Sequence, residues 1–200
     1  MDSLIQATID GNSPRVRQLL QQGTHPDICD SHGETALTWA AHLGHTDVVK
    51  DLLAAGANRE ARGSILKGTP LLLAACGGHR GIVALLAVFA KLNVHDSRGA
   101  NALMLAIEQP DGIVKPQRRI LGILGTLINA GIDLDLQDYE GNTALMWAIR
   151  WRNLDALRLL LSSGANPYLK NDAGQTALQI ADESGDKDIV QILHTAGVLE

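Results

Sequence analysis

Three stretches of this 200-residue chain repeat one pattern at nearly fixed spacing, and that repetition constrains the fold more than any single residue does. Residues 30–58 read DSHGETALTWAAHLGHTDVVKDLLAAGAN, residues 138–166 read DYEGNTALMWAIRWRNLDALRLLLSSGAN, and residues 171–197 read NDAGQTALQIADESGDKDIVQILHTAG. Thr35, Thr143 and Thr176 are each followed 21 positions later by a glycine (Gly56, Gly164 and Gly197), and Thr143 lies 33 positions before Thr176. Two further units are degenerate. Residues 64–95 keep Thr69-Pro70-Leu71, Ala74-Ala75, Gly78-His79, Val83 and Leu86, but place Gly68 one position late and lose the closing glycine near Ala90. Residues 96–137 begin Asp96-Ser97-Arg98-Gly99 and carry Asn101 in the threonine position. They reach Gly131 only 30 positions after Asn101, nine more than in the regular units. Residues 4–29 keep Gly11, Val16, Leu19-Leu20 and Gly23 without a preceding turn.

Each part of the pattern has a chemical reason. A threonine hydroxyl at a helix start satisfies backbone N–H groups that have no partner within the helix. Pro70 sits in a first turn, where its missing N–H costs nothing. Leu37, Trp39 and Ala40 then face inward, and the small Ala41 lets the next layer approach. Gly44, Gly78 and Gly185 end that helix in a left-handed conformation. Val49, Leu52 and Leu53 form the buried stripe of a second helix. A unit of this size cannot bury its own apolar face, so neighbours must stack.

The pattern D-x-x-G-x-T-P-L-H-x-A-A-x-x-G, followed by V-x-x-L-L-x-x-G-A, resembles the ankyrin repeat. The resemblance implies an all-α solenoid of stacked helix-turn-helix units with short β-hairpin loops. Six units are expected in one domain over residues 1–200, at about 1–29, 30–63, 64–95, 96–137, 138–170 and 171–200. The first and last units carry Gln6, Asp10, Gln18, Gln179, Asp182 and Gln191 and read as solvent-facing caps of a complete stack. In function the resemblance implies a protein–protein interaction module, a scaffold, adaptor or inhibitor that holds its partner on the concave face. It also marks Asn58 and Asn166 as positions that are hydroxylated in some eukaryotic repeats.

Composition narrows the partner class. The chain is 46% hydrophobic but only 3% aromatic, with a formal charge of -5 and a pI near 5.8. That balance argues against nucleic acid, which needs a basic face. Cys29 and Cys76 read as reduced thiols, the N-terminus lacks a signal-peptide pattern, and Ile82 to Ala90 is too short to span a bilayer. A cytoplasmic, monomeric protein is expected, with no membrane partner and no cofactor.

No catalytic constellation is visible. The glycine pairs lack the lysine of a phosphate-binding loop. His42 and His45 lie three apart, but no further ligand completes a metal site. Asp133, Asp135 and Asp138 imitate a calcium loop whose essential glycine and glutamate are missing. The expectation is a binding protein and not an enzyme.

Carried onto these positions, the resemblance places Trp151 and Arg150 on the concave surface, with Tyr139, Glu140 and Asn142 from the turn before them. It adds His32, Glu34, His42 and Leu43 in the second unit, Ile65 and Leu66 in the third and Arg98 in the fourth. Trp39 and Trp147 are expected in the core. The insertion Gln109-Pro110-Asp111-Gly112-Ile113-Val114-Lys115-Pro116 supplies an alternative reading, a regulatory subunit or effector that takes a peptide or small ligand through this loop.

Overall fold

A computed structural model describes residues 3–64, 67–108 and 116–199. Twelve helices among these residues form six antiparallel pairs. They are α1 (Leu4–Ile9) with α2 (Ser13–Gln21), α3 (Ala36–Leu43) with α4 (Thr46–Ala54), and α5 (Pro70–Cys76) with α6 (Arg80–Ala87). Then follow α7 (Ala102–Ile107) with α8 (Gln117–Asn129), α9 (Ala144–Arg150) with α10 (Leu154–Ser162), and α11 (Ala177–Ser184) with α12 (Lys187–Thr195). The odd-numbered helices pack on one another in order to make an inner layer, and the even-numbered ones make an outer layer. The expected solenoid is the observed architecture. None of these helices is long and apolar enough to cross a membrane.

The threonines act as the pattern requires. Thr35, Thr69 and Thr143 Oγ1 accept the amides of Thr38, Leu72 and Met146 at the starts of α3, α5 and α9. Thr176 does so for Gln179 and receives the reciprocal bond, its own amide donating to Gln179 Oε1 at 2.9 Å. Asn101 fills the same role in the degenerate fourth unit, with Oδ1 accepting from Leu103 and Met104 at 3.0 and 3.1 Å. The amide was chosen there without loss of the cap.

The loops between units are tighter than a β-hairpin with paired strands. One antiparallel bridge, Cys29 with Thr35, is the extent of strand pairing among the described residues. The tip is instead closed by one side chain. Asp30 Oδ1 accepts the amides of His32 and Glu34 at 2.8 and 3.0 Å, and Asp96 and Asp138 repeat this at Arg98/Ala100 and Glu140/Asn142. Successive tips are joined by single backbone bonds, Ser64 to His32, Tyr139 to Arg98 and Asp172 to Glu140. Gly99 shows why the tip is closely fitted: at φ +83°, a Cβ there would stand 2.5 Å from the Tyr139 amide nitrogen.

The irregular units are accommodated locally. In the third unit Lys67 takes the left-handed position that Gly33, Gly99 and Gly141 hold in other tips, with φ 54°. The missing glycine after α6 leaves Val88 and Phe89 exposed, with the Arg59 guanidinium 4.9 Å over the Phe89 ring. In the fourth unit α8 is 13 residues long, against nine in α2, α4, α10 and α12, so the outer helix itself takes up four of the extra residues.

Between the two layers, histidines tie one unit to the next. His45 Nε2 bonds the Ile9 carbonyl at 3.1 Å and His79 Nε2 bonds the His42 carbonyl at 3.0 Å. His79 also lies where a Cβ on Gly44 or Gly77 would be 2.5 Å from its ring. Burial there lowers its pKa, and His42, Arg119 and His45 disfavour a second positive charge, against the opposing effect of the carbonyl bond. A depressed folded-state pKa means that the unfolded chain binds the proton first. Stability should therefore fall as pH drops below the ordinary histidine value of about 6.5 and through the lowered folded value. Thermal unfolding between about pH 7.5 and 5 checks this, and His79→Asn, the residue type that starts α2 and α10, should flatten the dependence.

Candidate functional site

The fourth and fifth units build a pocket at their shared edge from a carboxylate and an indole held nine residues apart. Asp138 Oδ2 accepts the Trp147 indole N–H at 2.7 Å while its Oδ1 closes the tip. The second unit uses the same device, with Trp39 Nε1 donating to Asp30 Oδ2 at 3.0 Å. Burial pushes the Asp30 carboxyl up, but the indole and the two tip amides outweigh it and leave the group below its usual value. Each indole is thus fixed to its own tip and is half-buried against the core.

Above Trp147 sits Arg98. Its Nη1 and Nη2 donate to Glu108 Oε1 and Oε2 at 2.6 and 2.9 Å, and its Nε donates to Asp96 Oδ2 at 3.0 Å. The hydrogen bonds to Glu108 raise its pKa well above the ordinary arginine value, so the guanidinium stays charged. It lies 5.6 Å from the Trp147 ring centroid, within cation–π range. The fifth unit carries the same pair with the charges exchanged. Glu140 stands at the tip and Arg150 at the helix end, with Nη1 3.4 Å from Glu140 Oε2. Both pairs are ten residues apart in sequence. Trp151, at the C-terminus of α9, completes the wall and is 39% exposed. Together Arg98, Glu108, Asp138, Glu140, Trp147, Arg150 and Trp151 enclose about 390 Å³.

Four residues singled out in the sequence (Trp151, Arg150, Glu140 and Arg98) therefore meet in one pocket. Tyr139 is exposed at the tip but faces His95, with its hydroxyl 3.2 Å from Nδ1 and the rings edge to face. His32, His42 and Leu43 are exposed on the second unit, away from this pocket. Ile65, Leu66 and residues 109–115 lie outside the described residues; Pro116 is the residue that caps the start of α8.

Two candidates require correction. Glu34 and Asn142 are both 0% exposed, so neither offers its side chain to a partner in the groove. Their position in the unit points along the stack and not into the groove. Asn142 Nδ2 reaches Asp138 and Glu140, while its Oδ1 accepts Asn171 Nδ2 of the next tip at 3.2 Å. The Glu34 carboxyl lies against Gly63, where a Cβ would be 2.0 Å from it. They join units.

Glu108, Asp138 and Trp147 are pocket residues that reading by position missed. The recurring nine-residue Asp–Trp and ten-residue charge pairs were the available signals. Other candidate features resolve into local bonds. Asp133 Oδ1 accepts the Asp135 amide, and Asp135 Oδ1 accepts the Asn166 amide. Asn58 and Asn166 are exposed, each closing a turn through Oδ1. No group of three metal-ligating side chains occurs among the described residues.

A family profile described as "Ankyrin repeats (3 copies)" matches residues 2–63 and 118–198, leaving the third unit and the first part of the fourth between. The palmitoyltransferase Hip14 of Drosophila melanogaster is 37% identical over 182 residues, which is 89% of this chain. The match covers 27% of that protein, so this chain spans less than a third of its length. Among solved structures, an ankyrin repeat domain from Acinetobacter baumannii superposes with a TM-score of 0.84 at 30% identity, covering 97% of both chains. The ankyrin repeat domain of Bcl-3, described as a member of the IkappaB protein family, gives 0.82 at 27% identity, covering 96% of this chain and 81% of that one.

The Asp–indole bond predicts a specific loss of stability. Trp147→Phe keeps an aromatic ring but removes the donor to Asp138, and should lower unfolding free energy by about 1–2 kcal/mol. Trp39→Phe should cost a similar amount through Asp30; urea titration of both variants checks it.

Proposed function

This chain belongs to the ankyrin-repeat family, and from that premise we propose that it holds a partner protein in its concave groove, anchored at the pocket around Trp151. Ankyrin repeats are in general protein–protein interaction modules of a non-catalytic fold. The single observation that supports this location is the pairing of two indoles in one concave pocket, in a chain with only three tryptophans. Tryptophan and arginine are enriched among the residues that dominate interface energies, and the long arginine side chain has much rotamer freedom to lose on binding. Here the rotamers are already restrained: Trp147 by Asp138 and Arg98 by Glu108 and Asp96. Such preorganisation lowers the entropic cost of association.

The role is that of a scaffold, adaptor or inhibitor, with the groove and not a reacting group as its working part. The name palmitoyltransferase belongs to the fly protein, of which this chain resembles about a quarter. No acyl transfer is carried over.

The test is capture of a partner from native extract on wild-type chain and on variants, followed by titration of the purified partner. Trp151→Ala should weaken binding on the order of 10- to 100-fold, and Arg150→Ala by less, as a truncated anchor does. Arg150 is exposed, so its variant should keep an unfolding free energy within about 0.5 kcal/mol of wild type. Trp151 is only 39% exposed, so its truncation should cost more, on the order of 1–2 kcal/mol, and affinity is compared where both variants are folded. Unchanged affinity in Trp151→Ala places the interface elsewhere.

A further inference from the structure

We infer that the pocket accepts an arginine side chain, so that the partner segment seated in the groove is basic. This rests on the groove reading above and names the chemistry that it would select. The first ground is the charge balance. The lining carries three carboxylates, Glu108, Asp138 and Glu140, against two guanidiniums, Arg98 and Arg150.

Those charges are unequally available. Arg98 already gives its Nε to Asp96 and both Nη groups to Glu108, so it has little left for an incoming anion. Asp138 is committed to two tip amides and the Trp147 indole. Glu140 is different. Its side chain is 75% exposed, and its Oε2 receives Arg150 and Asn142 at 3.4 and 3.2 Å. Among the described residues no hydrogen bond engages its Oε1. The free acceptor capacity of the pocket is therefore a carboxylate at its mouth.

The second ground is aromatic. A guanidinium already lies over one indole of this pocket, Arg98 over Trp147 at 5.6 Å. Trp151 offers a second, partly exposed indole to the same pocket that Glu140 lines. A planar guanidinium can stack on an indole and direct its N–H edge to a carboxylate at the same time, which the compact ammonium of lysine does less well. Further along the stack the exposed carboxylates of Asp172 and Glu183 continue the negative surface, so neighbouring residues of the segment should be basic or neutral.

The experiment uses the full chain and a set of short, capped, otherwise uncharged peptides that differ at one central residue: Arg, Lys, Gln, Leu, Trp or Glu. Binding is read from the indole N–H resonances of Trp147 and Trp151. The expected result is that the Arg peptide moves both resonances and binds most tightly, Lys more weakly, and Gln and Glu least. Affinity for the Arg peptide should fall on the order of five- to tenfold in Glu140→Gln, which retains an acceptor for Asn142, as expected for loss of a charge-assisted pair. It should also fall between about 20 and 300 mM salt. Tighter binding of the Leu or Trp peptide overturns the inference, as does tightest binding of Glu, an Arg affinity indifferent to Glu140→Gln, or no shift with any peptide. The capture experiment with Trp151→Ala is separate. A partner lost in Trp151→Ala, together with a preference for Leu here, would retain the groove and reject the basic segment.

Discussion

No helix pair in this chain can cover its own leucines and alanines, and every other feature depends on a neighbour doing so. Val16, Leu37, Leu52, Leu71, Leu86, Leu103, Ile123, Leu145, Leu157 and Leu193 are all essentially buried, yet they belong to six different pairs in one continuous core. That core is built from side chains that meet across units. Burial of this kind contributes roughly 25 cal/mol for each Å² of apolar surface withdrawn from water. It is therefore gained at interfaces between units, and stability is a sum over neighbours. Polar groups then fix the register: Asn142 to Asn171, and His79 to the His42 carbonyl.

The pocket follows from the same geometry. Three of the tips are closed by an aspartate, Asp30, Asp96 and Asp138, and where the residue nine positions on is tryptophan, the second oxygen of that aspartate holds the indole. A structural bond thus fixes a large aromatic surface at the groove. The exchange of Arg98–Glu108 for Glu140–Arg150 in consecutive units then gives the pocket walls of mixed charge. Position in the unit decides whether a polar side chain faces the groove or the next unit. Residues two after the tip aspartate, Arg98 and Glu140, stand in the groove; residues four after it, Glu34 and Asn142, are sealed between tips.

Most of the fold was legible in the sequence because its determinants are local and repeated. Thr35, Thr143 and Thr176 mark helix starts by hydroxyl chemistry, and Asn101 shows that the signal is the cap rather than the residue name. The site was legible only in part. Trp151, Arg150, Glu140 and Arg98 were found by position, whereas Trp147 reads as core because its helix face is an apolar stripe. Its part in the pocket depends on the Asp138 bond and on Arg98 above it, which join residues from two units. Burial of Asn142 was equally hidden, since it depends on Asn171 arriving from the following unit. Lys67 and Arg152 are the backbone counterparts: both hold left-handed conformations at positions where other units carry glycine, so the residue name hides what the position shows.

Arg152 has a mechanical side as well. It occupies the helix-ending position that Gly11, Gly44, Gly78 and Gly185 fill in other units, and its φ of 49° is unfavourable for a residue with a Cβ. Its guanidinium bonds Asp186 and also reaches Asp188, both at the start of the outer helix of the last unit. The terminal pair is thereby latched to the body of the stack by exposed charge in addition to apolar contact, and exposed charge is weakened by salt. Ionic strength therefore acts on the junction between α10 and α12: in concentrated salt the α11–α12 pair keeps its apolar contacts but holds less tightly to the unit before it.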